Sequence, residues 1–82
     1  GLAQIKLDDY VIATADNADV MKGSIQVLYN GSYKLTAVDG AGNEQDATMQ
    51  PISPLIASIA PSSIVILLVI LTFFHVVFVA IV

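Results

Sequence analysis

The hydrophobic and polar positions divide the chain into two parts with different patterns. Residues 64–82 read IVILLVILTFFHVVFVAIV, and only Thr72 and His75 among these nineteen are not plainly apolar. As a helix rising about 1.5 Å per residue, the run spans roughly 28 Å, close to the hydrocarbon thickness of a bilayer at about 30 Å. The pattern predicts a transmembrane helix, or a helix equally buried in protein.

Buried β structure is the alternative for this run, because eleven of the nineteen residues are β-branched and such side chains favour strands. The length of the run and its lack of a turn residue argue against strands, which usually contain about 3 to 10 residues. In an apolar medium a lone strand also leaves its backbone groups unpaired, whereas a helix satisfies its own. We therefore predict a helix.

The predicted helix has two candidate starts. Pro54 suits a first helical position because it has no amide proton to leave unpaired, and this start gives a helix over 54–82 with a kink at Pro61. Alternatively the helix begins at Ser62 or Ser63, and Pro61 ends an irregular approach to it. We favour the longer, kinked helix, because the apolar residues of the approach fit a helical face.

Small residues recur at four-residue spacing near the start of the predicted helix. Such spacing allows two helices to approach closely, although a simple connector of small residues is the alternative. No lysine, arginine, tryptophan or tyrosine flanks the apolar run, and a helix enclosed by other subunits needs such anchors less. We predict packing against copies of the chain or other membrane subunits, with lipid as a further contact. The packing residues are Ser53, Ala57, Ser58 and Ser62.

The first 46 residues have the composition of a small antiparallel β domain. LAQIKL (2–7) and YVIATA (10–15) predict two strands, and DNADVMKG (16–23) is rich in turn residues. The predicted fold class is therefore α+β. Its organisation is a polar β domain over 1–46, a linker over 47–53 and the hydrophobic helix after it.

A hairpin is the clearest local signal in this β domain. SIQVLY (24–29) and SYKLTAV (32–38) are joined by Asn30-Gly31, the favoured pair for a two-residue type I′ turn. Apolar and polar residues alternate in the second of these segments, which indicates one buried face. NEQDATMQ (43–50) follows another turn and predicts a short final strand or a tether to the helix.

GSYKLTAVDGAGNE (31–44) resembles the closing hairpin of bacterial immunoglobulin-like repeats. In those repeats a G-x-Y-x-x-x-x-x-D-x-A-G-N pattern ends one strand and turns into the last. The resemblance implies an extracytoplasmic β fold. Such repeats contain about 80 to 100 residues, so we do not expect a complete repeat before the predicted helix.

Charge and composition exclude several classes of protein. The 82 residues carry three lysines, seven carboxylates and no cysteine, and all ten charges lie between Lys6 and Asp46. Disulfide frameworks and thiolate metal sites are excluded, and a net charge of −4 argues against nucleic acid as a partner. Neither DNAD (16–19) nor DGAGN (39–43) fits a calcium-binding loop, so we expect solvated turn carboxylates that form an acidic outer surface.

His75 is the only histidine and lies within the apolar run. It is a candidate ligand for the metal of a haem or a chlorophyll, or a proton carrier. The alternative is a histidine that is hydrogen-bonded to a neighbouring helix or to a carbonyl one turn earlier. No second titratable group accompanies it, so we predict no bound cofactor and no metal site.

Asn30-Gly31-Ser32 matches the N-glycosylation sequon, and the tip of a hairpin is accessible to modification. Asn30 is therefore a glycosylation candidate. The sequon is short enough to occur by chance, and the alternative is an unmodified turn residue.

The function predicted from the sequence is structural, because no nucleophile, base and orienting group converge as an enzyme requires. A β domain of about 46 residues without cysteine barely offsets its chain entropy, and the helix lacks anchors. Both features predict a subunit of a filament, virion or surface layer, with the β domain outside and the helix buried in the core or a membrane. The alternative is an accessory single-pass subunit of a membrane complex. In either case we expect the N-terminal domain to lie outside the cytoplasm.

Overall fold

The computed structural model is all-β over the residues that it describes, which are 1–28, 31–49, 55–59, 66–72 and 74–82. The strands form two four-stranded antiparallel sheets. We call the sheet with strand order β2-β1-β4-β5 the first sheet and the sheet with order β3-β8-β7-β6 the second sheet. The strands are β1 (Leu2–Leu7), β2 (Tyr10–Ala18), β3 (Val20–Gln26), β4 (Tyr33–Asp39), β5 (Glu44–Met49), β6 (Leu55–Ile59), β7 (Ile66–Thr72) and β8 (His75–Ile81).

The two sheets pack face to face around one hydrophobic core. Strand β5 lies against β6 and β7, while β1 and β2 lie against β3. Successive side chains of a strand point to opposite faces, and the described residues of β8 accordingly alternate between buried and more exposed positions. The largest fully buried side chains are Leu2, Ile5 and Leu35 from the first sheet and Leu67, Val69 and Val76 from the second.

The predicted helix over 54–82, and with it the α+β class, is wrong. The described residues of this segment form β6, β7 and β8, which pair as antiparallel neighbours in the second sheet. Within the described residues, no helix has the length and apolarity needed to cross a membrane. The predicted kink at Pro61 lies outside the described residues.

The turn at Phe74 explains why the sequence pattern was misleading. The register pairs Thr72 with His75, so β7 and β8 are joined within two residues, and Phe74 has a positive φ of 69°. Such turns normally carry glycine, asparagine or aspartate, and a bulky residue gives no turn signal. Each strand has seven residues and pairs its backbone with neighbours, so the β-branched side chains occupy the conformation that they prefer.

The strands predicted near the N-terminus are confirmed, but the turn predicted after them is wrong. The predicted strand 2–7 is β1, and the predicted strand 10–15 forms most of β2. The turn-rich segment 16–23 instead continues β2 and begins β3, and only Asp19 separates these strands. Asn17 has a φ of 58° and lies where the pairing of β1 and β2 shifts register. Its positive φ therefore belongs to an irregularity within β2 and not to a turn.

The hairpin predicted for 24–29 and 32–38 is also wrong. Strand β3 pairs with β8 in the second sheet, whereas β4 lies between β1 and β5 in the first. The long-range pairing buries Met21 of β3 beside Ala80 of β8, which outweighs a local turn preference. Strand β4 instead forms a hairpin with β5, in the segment that resembles the immunoglobulin-like repeats.

The division into a domain over 1–46, a linker over 47–53 and a segment over 54–82 stays a prediction. Its first boundary falls inside β5. Much of the predicted linker lies outside the described residues.

Candidate functional site

Charged side chains cover the outer face of the first sheet. Lys6 on β1 and Glu44 on β5 flank β4, and their ion pair of 3.5 Å between Nζ and Oε1 reaches across that strand. Between them, the Thr36 hydroxyl donates a hydrogen bond of 2.8 Å to Oδ1 of Asp46, and Thr36 is only 4% exposed. This face is therefore polar and solvated. Such exposed ion pairs add at most about 1 kcal/mol each.

The turn between β1 and β2 adds further charge to the same sheet. Asp8 and Asp9 have φ values of 48° and 73°, and a type I′ turn requires a positive φ at both central positions. The Asp8 amide donates to the Lys34 carbonyl at 2.8 Å, and the Lys34 amide donates to Asp8 Oδ1 at 2.8 Å. Lys34 Nζ also lies 3.5 Å from Asp9 Oδ1. These contacts hold the turn against β4.

The outer face of the second sheet has the opposite chemistry. Apart from His75, the described outward side chains of β7 and β8 are apolar, and the register places Leu68 opposite Val79 and Ile70 opposite Val77. Leu68, Ile70 and Val77 are 37%, 39% and 39% exposed, although the strand residues Leu67, Val69, Val76 and Phe78 beside them are buried. We call this surface the apolar face. Its residues are Leu68, Ile70, Val77, Val79 and Ile81.

The size of the apolar face bears on what it can bind. At about 3.3 Å per residue and about 4.8 Å between strands, the part of the outer face that β7 and β8 form measures roughly 23 by 10 Å, or about 220 Å². The largest apolar patch of a typical monomer covers about 300 to 600 Å². Standard protein interfaces bury about 800 Å² per partner, so this face provides a small interface.

The sheet edges are less suited to pairing with another chain. Unpaired edge strands invite strand addition, and charged residues on them oppose it. Edge strand β2 carries Asp16, edge strand β3 carries Lys22, and edge strand β5 carries Glu44 and Asp46. The remaining edge strand, β6, has the uncharged sequence LIASI. Charge therefore discourages edge contacts at three of the four described edges.

Asp39 organises the turn between β4 and β5. Its Oδ1 accepts hydrogen bonds from the backbone amides of Ala41 and Asn43, and its Oδ2 accepts one of 2.9 Å from Nδ2 of Asn43. These bonds favour the ionised carboxylate, so the pKa of Asp39 lies below its ordinary value of 3.8, and the bond from the Asn43 side chain is the largest cause. The carboxylate therefore serves the turn itself. Among the described residues, no group of three or more histidine, cysteine, aspartate or glutamate side chains is placed to hold a metal.

We expect Asp39→Asn to destabilise the fold near pH 6, because it removes the charge that accepts these three bonds. A folded-state pKa below the ordinary 3.8 means that the ionised group adds stability above pH 3.8, and that this stability is lost as the pH falls through the folded pKa. The difference between wild type and variant should therefore shrink in strong acid. Urea unfolding across this pH range measures it.

Asp16→Asn is the matched control for that experiment. It removes one carboxylate from β2, which β1 separates from β4, and so changes net charge equally. A difference between wild type and Asp39→Asn that stays constant with pH contradicts a role for the ionised carboxylate.

The structure places His75 on the surface and not inside a helix. His75 is exposed at the start of β8, where its backbone pairs with Gln26 of β3 and Thr72 of β7. The expected burial at membrane depth is therefore wrong, since that depth depended on the helix. Its candidate role towards a cofactor stays a prediction.

The other predicted site residues are only partly covered by the structure. Ala57 and Ser58 lie in β6 and not in a helix. Ser53, Ser62 and Asn30 lie outside the described residues. The packing and glycosylation roles stay predictions.

The residues of the apolar face were missed as a site because a strand that is apolar on both sides gives a continuous hydrophobic run. Such a run has no period-two alternation that would separate it from a buried helix. The β-branched composition was the one signal that pointed to strands. The candidate site therefore rests on the contrast between a charged sheet face and an apolar one. No protein-family model, curated protein or solved structure gives a significant match to this chain.

Proposed function

We propose that the chain is a non-enzymatic structural subunit of a multimeric assembly of its own copies, and that the apolar face makes the contact. The observation that carries this proposal is the exposure of neighbouring large side chains, above all Ile70 and Val77. Apolar surface removed from water contributes about 25 cal/mol per Å². Covering this face is therefore a driving force for association.

The distribution of charge favours a second copy as the partner. The chain has a net charge of −4, yet strands β6, β7 and β8 contain no charged residue, and β3 contributes only Lys22. Two copies that meet through their apolar faces bring no carboxylate against another. Contact through the first sheets would instead oppose the Glu44 and Asp46 carboxylates of two acidic subunits. Like charges at a contact are unfavourable.

The geometry of the contact follows from sheet packing. Two antiparallel sheets with apolar faces pack about 10 Å apart, and the two sheets of this chain already pack face to face around their core. Because the face is small, the association should depend on concentration. A filament, virion or surface layer outside the cytoplasm, which remains part of this proposal, needs a second and different contact on each subunit.

The alternative of an accessory single-pass membrane subunit is not carried forward. It depended on a terminal helix, and strands β6, β7 and β8 take the place of that helix.

We expect the wild-type protein to be oligomeric and the double variant Ile70→Lys, Val77→Lys to be monomeric. These residues are opposite one another on β7 and β8, and a lysine at each puts two uncompensated charges into the contact. Sedimentation equilibrium from about 1 μM to about 1 mM measures the dissociation constant. Circular dichroism establishes that the variant is still folded.

Val11→Lys with Thr14→Lys is the matched control. It adds the same two charges and replaces an exposed valine, but on edge strand β2 of the first sheet. The control should associate like wild type. A wild type that is monomeric at every concentration overturns the proposal. Association that survives in the Ile70, Val77 variant overturns the apolar face as the contact and points to another surface, such as the uncharged edge β6.

A further inference from the structure

His75 is the one titratable side chain on the outward side of β7 and β8 in the described structure. Val76 is fully buried and Val77 is exposed, so the alternation along β8 places His75 and Val77 on the same side of the sheet. His75 therefore extends the apolar face at the end where β8 begins. A residue in this position reaches the same partner surface as the apolar side chains.

The surroundings of His75 contain little charge. Its backbone partners are Gln26 and Thr72, and neither side chain titrates. The one charged residue in the strands of the second sheet is Lys22, which pairs with Val79 further along β8. Asp19 lies beyond the opposite end, where its carbonyl accepts a hydrogen bond from the Val82 amide.

The carboxylates of the first sheet do not compensate a charge on His75. Glu44 and Asp46 belong to the outer face of the first sheet, on the far side of the core. Protonated His75 would thus share the outer face of the second sheet with the Lys22 ammonium and with no carboxylate of the strands.

We propose that His75 makes self-association pH-dependent, with the neutral imidazole permitting the contact and the protonated imidazolium opening it. This inference rests on the proposed function, since it concerns the same face. Histidine ordinarily titrates near pH 6.5. When two apolar faces meet, a charged imidazolium loses water and meets the positive side chains of a second copy. The associated state therefore disfavours the proton, and association weakens as the pH falls.

The direction of this effect separates it from general electrostatics. Lowering the pH brings the net charge of −4 closer to zero, which reduces repulsion between copies and would strengthen association. A specific effect of His75 has the opposite sign.

The test is the dissociation constant of the full chain at pH 7.5 and pH 5.5, measured by sedimentation equilibrium. If a histidine must lose its proton for association, the dissociation constant rises by about tenfold for each pH unit below the ordinary pKa of histidine. We therefore expect the dissociation constant at pH 5.5 to be about tenfold higher, or more, than at pH 7.5. His75→Gln should associate at both pH values with an affinity near that of wild type at pH 7.5. His75→Lys should associate weakly at both.

The outcomes distinguish this inference from the function on which it rests. Wild-type association that is unchanged or stronger at pH 5.5 overturns the role of His75 and leaves the structural function standing. A pH dependence that persists in His75→Gln also overturns it. If wild type does not associate at either pH, both proposals fail.

Discussion

Phe78→Ala is expected to lower the free energy of unfolding by about 3 to 5 kcal/mol, whereas Val77→Ala should change it by less than about 1 kcal/mol. Phe78 is 4% exposed, and its ring lies directly over Gly23 of β3. A Cβ atom added to Gly23 would be 3.2 Å from Cζ of that ring, so the ring fills the space that glycine leaves. Removing the ring creates a cavity between the sheets.

Urea unfolding of both variants measures this difference. It tests β8 directly, because a strand makes alternate residues sensitive and a helix does not. Val76→Ala, at a fully buried position, should follow Phe78→Ala in direction. Equal losses at positions 76, 77 and 78 would contradict the strand. The double variant Gly23→Ala, Phe78→Leu tests the contact between Gly23 and the ring. Its loss of unfolding free energy should be smaller than the sum of the losses in the two single variants.

Leu35→Ala is expected to lower the free energy of unfolding by about 2 to 5 kcal/mol. Both sheets should still unfold together in one transition. Leu35 is fully buried on β4 of the first sheet, and it belongs to the same core cluster as Leu67 and Val69 of the second. Small domains have a total stability of only about 5 to 15 kcal/mol. The variant should therefore lose a large part of its stability.

Two probes report on the two sheets in the Leu35→Ala variant. Tyrosine fluorescence includes Tyr33 on β4, and the imidazole resonance of His75 reports β8, because the chain has one histidine. A shared core predicts one unfolding midpoint for both probes. Leu28→Ala, the same substitution at a leucine that is 96% exposed, should leave the midpoint unchanged. Separate midpoints would show that the sheets unfold independently.

The contrast between the two outer faces is what links this fold to a function. On the first sheet, the Lys6–Glu44 ion pair and the Thr36–Asp46 hydrogen bond cover the central strand with polar groups. On the second sheet, Ile70 and Val77 have no such cover from the described residues and stay exposed. A solvated face and an apolar face on one small sandwich fit a subunit that is covered by another subunit on one side and exposed to solvent on the other.

Strands with alternating polarity or local turn chemistry were predictable from the sequence. LAQIKL was assigned as a strand with the bounds that β1 has. The segment ending in DGAGN was assigned to a turn, and Asp39 closes that turn with three hydrogen bonds to Ala41 and Asn43. These features depend on residues within a few positions of one another, which a sequence pattern records.

The run after residue 63 was not predictable in the same way. A continuous apolar segment is compatible with a helix and also with two strands that are apolar on both faces. Phenylalanine at position 74 gives no sign of the turn that it occupies at φ of 69°. The partner of β3 was equally hidden, since β8 lies about fifty residues further along the chain. Asn30-Gly31 favoured a neighbouring strand that β3 does not use.

The order of residues alone established a chain with its charge confined to residues 1–46, an uncharged apolar remainder, no cysteine chemistry and a tight turn at Asp39. Only the tertiary structure decided that the apolar half forms strands, which of its side chains enter the core, and that Leu68, Ile70 and Val77 remain outside. The reason is physical. Backbone pairing and sheet-on-sheet packing join distant residues, and they select between two conformations that the same run of apolar side chains permits.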